Sequence, residues 1–346
     1  MSSPAVAEKR PPTRGGTGEL LQRIGSMREF SLLGIYAVLV ISVGAFVGEF
    51  LTASNFREIL VSVAILMIVV IGQTPVILTR NIDISVGSVV GLTAFVCGDF
   101  ISTHSGTPIL LVVLTGCVIG LVLGAVNGML VSIANVPSIM ATLGTLYVYR
   151  GIDSLIASGK QVSSSTVPSS YSALATNRIA GIPVMVLVAV AIGIAVGLFL
   201  RYRRPGRQLY AVGSNPDAAR SAGIDSRRLV FGALCFSGLM AGLGGVLWSA
   251  QFATVTSDAA TGLELQVVAA AVVGGVNVFG GAGTVFGAML GAVVLATISN
   301  ALALTRVSQL WLQAIAGAAM LLAVTVDHFA GRRTLARALK RRREGR

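Results

Sequence analysis

The sequence predicts an all-α integral membrane protein with about ten transmembrane helices. Three observations predict it. Hydrophobic residues make up 54% of the 346-residue chain and charged residues only 12%, against roughly 25% charged in soluble domains. The mean hydropathy is +0.83. Uncharged apolar runs such as Ile109–Val131, Val184–Leu200 and Leu229–Trp248 fall in the range of roughly 17–25 residues that crosses a hydrocarbon core. A soluble core holds one or two such runs, not a series that fills the chain.

In chain order, residues 1–28 are polar, contain Pro11-Pro12 and Gly15-Gly16, and read as a flexible cytoplasmic arm with no secretory signal ahead of the first span. Apolar segments follow at 31–48, 57–79, 84–103, 109–132, 138–157, 182–201, 229–250, 263–278, 283–303 and 309–326. The segments 84–103 and 263–278 are short or broken by glycine and polar residues, the pattern of interrupted or re-entrant helices. Residues 29–328 thus read as one transmembrane domain with a polar loop at 201–228. The tail 329–346 is strongly basic and suits a helix lying on lipid headgroups. Cys97, Cys117 and Cys235 sit in apolar segments and read as small buried hydrophobes.

Lysine and arginine set the direction of the spans. An even number of spans puts both ends on one side. That side holds the termini, Arg80 and the 201–228 loop, with 21 basic residues; the other side holds Arg57, Lys160, Arg178 and Arg306, which is 4. Both termini are therefore expected in the cytoplasm. The net charge of +12 needs no nucleic-acid partner, because the positive residues flank spans and face anionic membrane lipids.

The chain lacks the residues of a motor. Its lysines are Lys9, Lys160 and Lys340, and none closes a Gly-x-x-x-x-Gly-Lys-Ser/Thr phosphate loop. His104 and His328 are too few for a histidine metal cluster, and no Gly-x-Ser-x-Gly elbow occurs. No enzyme activity, cofactor or metal is expected in this chain. Ionisable residues within the spans are sparse. Asp83 is expected to cap the helix that follows it. Glu264 stands in a first turn, where the helix dipole favours an acid. Arg150 is expected to snorkel or to pair with Asp153. No chain of acids suits ion coupling.

The loop 201–228 has internal order. Asn215 is a good N-cap, Pro216 suits the first helical position, Asp217 the first turn, and Gly223 the stop. The helix of about two turns between them, with Ala218, Ala219 and Arg220, is too short to stand alone in water. It needs a surface: its own protein, the bilayer, or a groove on a partner.

Several segments resemble one family. Thr79-Arg80-Asn81-Ile82-Asp83-Ile84-Ser85-Val86-Gly87-Ser88 is similar to the region after the second span of bacterial ABC sugar-importer permeases, the ribose, arabinose, xylose, rhamnose and autoinducer-2 group. Asn127-Gly128-Met129-Leu130, Pro137–Thr145, Tyr149-Arg150-Gly151, Gly206–Pro216, Thr261–Leu265 and Gly280-Gly281-Ala282-Gly283 follow in family order. The resemblance implies a permease with ten spans, working in the bacterial inner membrane beside a second permease copy or paralogue. It implies an ABC ATPase that holds the ATP and Mg, and a periplasmic or lipid-anchored solute-binding protein. It also implies that Asn215, Pro216, Ala218, Ala219, Arg220 and Gly223 form a coupling helix docked on the ATPase. Arg80-Asn81-Ile82-Asp83, in place of the Gly-Gly-Ile-Asp common in ribose permeases, leans toward the autoinducer-2 or rhamnose branch.

The solute path is less marked. A sugar needs hydrogen-bonding groups, and Asn127, Thr142, Thr145, Tyr147 and Gln266, with Gln73 and Gln251, are candidates. Each also suits a hydrogen bond between helices. Gly116, Gly120 and Gly124 share one helical face, where small residues let helices approach closely. An ion-coupled secondary transporter and a non-transporting membrane scaffold are the alternatives.

Overall fold

Hydropathy locates the helices well: each predicted apolar segment contains a helix among its described residues. In the computed structural model, residues 28–318 and 321 are described, apart from 164, 253 and 309. The helices are α1 (Arg28–Phe46), α2 (Ala53–Leu78), α3 (Val86–Thr103), α4 (Ile109–Gly128), α5 (Ser138–Ala157), α6 (Ser169–Thr176), α7 (Val184–Tyr202), α8 (Arg204–Ser214), α9 (Pro216–Ser221), α10 (Ser226–Gln251), α11 (Leu263–Val273) and α12 (Val285–Leu304). A π-helical turn, Met129–Ile133, extends α4. Residues 310–318 are helical as well. The arm at 1–28, apart from Arg28, and the tail at 329–346 lie outside the described residues.

Among the described residues, six helices are long and apolar enough to cross a membrane: α2, α3, α4 with its π turn, α7, α10 and α12. Two of the other predicted spans differ in physical character. The segment 263–278 is helical only to Val273. At a rise of 1.5 Å per residue, α11 reaches about 16 Å, half of the ~30 Å hydrocarbon core. It stops at Gly274-Gly275, where Gly275 takes φ +88°. Helix α5 falls outside the apolar set because Arg150 and Asp153 interrupt it.

Burial divides the helices by environment. From Val63 to Leu78 every residue of α2 is buried, as expected of a helix that is apolar all round. Helix α10 packs on α4, α3 and α2, and α12 packs on α2 and α11. Helices α4 and α7 instead expose Leu110, Leu114, Val118, Ile194 and Leu198, an apolar outer surface. The α4–α10 contact is the closest. A Cβ on Gly120 would overlap the Gly238 carbonyl, and one on Gly238 would overlap the Gly120 carbonyl. The glycine face read from the sequence is thus a backbone-to-backbone seam.

The bundle has two dissimilar ends. The basic end carries Arg80, α8 and α9. At the opposite end, β1 (Val162–Ser163) pairs antiparallel with β4 (Thr254–Val255), and β2 (Arg178–Ile179) with β3 (Ile182–Pro183). Helix α6 is fastened there by Tyr171. This fully buried side chain bonds to the Val246 carbonyl at 3.0 Å and Ser249 Oγ at 2.7 Å on α10. The three cysteines are free thiols.

The polar segment 201–228 is not the loop with one short helix that the sequence suggests. Helix α7 runs to Tyr202, α8 fills Arg204–Ser214, and α10 begins at Ser226. The missed helix had a signal: Gly206, Leu209, Val212 and Gly213 fall on one face at helical spacing and are buried.

Candidate functional site

At the basic end, α9 folds as its residues dictate. Asn215 Oδ1 accepts the Ala218 amide at 3.0 Å. Gly223 takes φ +75°, and the Gly223 and Ile224 amides donate to the Arg220 and Ala219 carbonyls, the closing pattern that satisfies helix-end carbonyls. Ala219 is 4% exposed and faces its own chain. Ala218, Arg220, Ser221 and Ala222 are exposed. The outward face of α9 is therefore small and open, and Ala219 belongs to its inner side.

The base of α9 is a joint of three segments. Arg80, at the end of α2, donates through Nε to the Gly213 carbonyl and through Nη2 to the Ser214 carbonyl. The Gly281 amide donates to the Leu78 carbonyl at 3.0 Å. Tyr210 donates to the Gly283 carbonyl at 3.0 Å, and burial raises its phenol above the usual range, which keeps it a donor. A Cβ on Gly213 would overlap the Leu78 carbonyl and approach the Gly281 amide. The segments 79–83, 206–216 and 280–283, far apart in sequence, thus meet backbone to backbone. Sequence reading named α9 and missed this clamp.

One layer inward lies a buried polar network. Asp83 Oδ1 accepts the Ser85 amide at 3.0 Å and hydroxyl at 2.6 Å, and Oδ2 accepts the Ser237 hydroxyl at 3.1 Å. Asp83 therefore makes a local turn and cross-helix bonds; the N-cap of α3 is Ser85. Asn127 Nδ2 donates to Ser85 Oγ at 2.7 Å. Tyr149 donates to the Leu123 carbonyl at 3.0 Å. The Ile84 amide donates to Thr142 Oγ1 at 3.1 Å, and Thr145 Oγ1 donates to the Thr142 carbonyl. Gln73 faces Ser237. Asn127, Thr142, Thr145 and Gln73 are buried; Asn127 and Gln73 bond to Ser85 and Ser237 of other segments, and Thr142 and Thr145 bond to backbone.

Near the opposite end, Arg150 donates to the Ser257 and Ala259 carbonyls. Its charge acts on Asp153, one of the two settings the sequence suggests, but no hydrogen bond joins the two; Asp153 is fully buried and neither of its carboxylate oxygens has a hydrogen-bond partner among the described residues. Arg150 is better placed to hold the non-helical stretch before α11, whose carbonyls have no helix of their own to satisfy. Glu264 stands in the first turn of α11, as read, and accepts the Gly262 amide at 3.1 Å.

A polar cleft of about 370 Å³ opens between α2, α10, α11 and α12, lined by Glu58, Trp248, Gln251, Phe252, Gln266 and Asn300 among others. The Trp248 and Phe252 rings lie 4.4 Å apart. Gln251 Oε1 and Asn300 Oδ1 are buried acceptors without a partner among the described residues. The structure thus divides the solute candidates. Gln251 and Gln266 share this cleft, Asn127, Thr142 and Thr145 lie in the packed network, and Tyr147, 69% exposed, is in neither. Trp248 and Phe252 were missed, although their four-residue spacing beside Gln251 puts both rings on one helical face.

Residues 55–324 match the profile of a family described as the branched-chain amino acid transport system / permease component. The chain belongs to this permease family. It is 35% identical to the autoinducer 2 import system permease protein LsrC of Salmonella typhi over 308 residues, 89% of this chain and 88% of the relative. The LsrC of Yersinia enterocolitica serotype O:8 is 35% identical over 86% of this chain and 80% of its own. That of Escherichia coli O9:H4 is 33% identical over 89% of each. No solved structure matches significantly. This permease is accordingly a multi-pass inner-membrane protein and a permease component of a transport system.

Proposed function

We propose that this permease is the membrane subunit of an ATP-driven importer for a sugar or sugar-like solute, and that a separate ATPase docks on α9. In this reading the permease has ten spans and both termini in the cytoplasm, and it pairs with a second copy or a paralogue. A binding protein delivers the solute to the end that carries α6. The observation that carries the reading is the three-segment joint under α9. It ties an exposed helix, of a size that fits a partner's groove, to the end of the most buried helix in the bundle and to the turn before α12. A partner that moves α9 therefore moves the spans. The autoinducer 2 import permeases among its relatives support a sugar-like or autoinducer-type solute.

The test is uptake by proteoliposomes holding the permease, its ATPase and a loaded binding protein. Uptake is expected only with ATP on the ATPase side. Uptake that persists on an ion gradient after ATP is removed would make the protein a secondary transporter. Ala218→Trp tests the docking face: it is expected to lower ATPase co-purification about tenfold or more, as a buried interface hot spot would, with membrane insertion unchanged. Full retention of the ATPase would remove α9 from the interface.

In the same reading the polar cleft is a transient solute contact. Its amides offer donors and acceptors to hydroxyls, and its aromatic pair offers a face to a sugar ring. Gln251→Leu and Gln266→Leu are each expected to raise the solute concentration for half-maximal uptake about fivefold, the worth of one hydrogen bond near 1 kcal/mol. Unchanged concentration dependence in both would move the path elsewhere.

A further inference from the structure

We infer that a crevice between α7 and α12 at the basic end is a binding site for an anionic phospholipid. The crevice has a volume of about 880 Å³, within the roughly 300–1,000 Å³ usual for small-molecule sites. Its walls are apolar, with Ile194 and Leu198 from α7 and Phe286 and Leu290 from α12. Met67 of α2 also lines it. At Gly193 the two helices close on each other, since a Cβ there would overlap the Met289 sulfur.

Length and charge say what fills it. Along α7 the lining runs from Val190 to Arg201, about 16 Å of helix and half of the ~30 Å hydrocarbon core, which is the depth of one leaflet. An acyl chain from that leaflet fits this depth; a solute crossing the membrane would need a path through both. Two guanidiniums, Arg201 and Arg207, stand at the basic rim. Both are exposed. Among the described residues neither guanidinium has a hydrogen bond or an ion pair to a carboxylate; Arg201 lies over the ring of its neighbour Tyr202, 5.4 Å from the centroid. Asp217 and Asp225 are the only acids in 201–228, and Asp225 pairs with Arg228. Unpaired guanidiniums at the headgroup level, above a groove of one-leaflet depth, match a phosphodiester carrying acyl chains.

The test uses the full chain purified in mild detergent from bacterial membranes, with retained lipid extracted and identified by mass spectrometry. The wild type is expected to retain phosphatidylglycerol or cardiolipin above its share of the bulk membrane. The double variant Arg201→Gln/Arg207→Gln is expected to lose that enrichment by about thirtyfold, from the gain per basic residue at a membrane surface, while zwitterionic lipid is unchanged. Gly197→Phe is the second arm. A Cβ at Gly197, within the crevice, meets nothing within 4 Å, so the ring blocks the acyl seat while both arginines stay, and enrichment is expected to fall too. If the double variant does not accumulate, Gly197→Phe alone decides. The proposal is overturned if the wild type shows no enrichment, if either folded variant keeps it, or if excess inorganic phosphate displaces the lipid, which would make the rim a site for free phosphate.

Discussion

Gly238→Leu is expected to remove the permease from the membrane fraction, with accumulation falling about tenfold or more. The seam between α4 and α10 brings backbone against backbone, and a side chain at Gly238 would meet the Gly120 carbonyl and the Gly124 Cα. A clash with a flexible side-chain tip is relieved by a rotamer change. Here the obstructing atoms belong to a helix and cannot turn away, so the helices must separate. Overpacking costs about 1–3 kcal/mol even where the surroundings can shift, a large part of a net stability of about 5–15 kcal/mol. Separating the helices also forfeits the close packing that holds spans together in lipid, where no hydrophobic drive replaces it. The control lies on the same helix. A Cβ at Gly232 meets nothing within 4 Å, so Gly232→Leu is expected to accumulate as the wild type does. Immunoblotting of washed membranes reads both. Equal accumulation of the two variants would mean that the seam is not what holds α4 to α10.

Arg80→Ala is expected to uncouple transport: solute uptake falls about tenfold or more while ATP hydrolysis by the bound partner continues. Arg80 spends its guanidinium on the Gly213 and Ser214 carbonyls, the last two residues of α8, just ahead of the Asn215 cap of α9. Hydrogen bonds from a charged donor contribute about 1.5–3 kcal/mol each. Without them, α9 keeps its own cap at Asn215 and its exposed face, so docking survives while the link to α2 is loosened. Arg80 also holds a left-handed backbone, φ +65°, a conformation that costs a non-glycine residue energy and persists where its surroundings impose it. Arg80→Lys keeps the charge but not the planar fork that reaches two carbonyls, and is expected to fall between the two. Parallel loss of uptake and hydrolysis in both variants would mean that Arg80 serves assembly and not transmission.

The helices were legible because hydropathy measures what most of this chain does, which is to lie in a membrane or against another apolar helix. The cap at Asn215, Pro216 and Gly223 was legible because capping is local chemistry within a few residues. What escaped was decided at a distance. Helix α8 is stable because Gly206 and Gly213 seat it on α7 and on the end of α2, contacts that no local propensity reports. Asn127 and Thr142 read equally as solute ligands or as helix fasteners, and the difference lies in Ser85 and Ile84, more than forty residues away. Arg150 sits one helical turn from Asp153, yet backbone carbonyls more than a hundred residues on hold it. The short reach of α11 is set by the turn at Gly274-Gly275, where Gly274 lies against the Gly287 carbonyl. The apolar residues beyond it read as span because composition does not register where a backbone turns.

The seam at Gly238 has a mechanical meaning as well as a packing one. Helix α10 is a single rod of 26 residues, about 39 Å long. One end begins just after α9, and Tyr171 grips it near the other. Gly238 is its thirteenth residue. The close contacts with α4 run on either side of it, from Leu234 to Gly242, so the two helices are joined along a line rather than hinged at a point. In the proposed importer, a displacement imposed at the basic end would reach the far face by the two joined helices moving as one body.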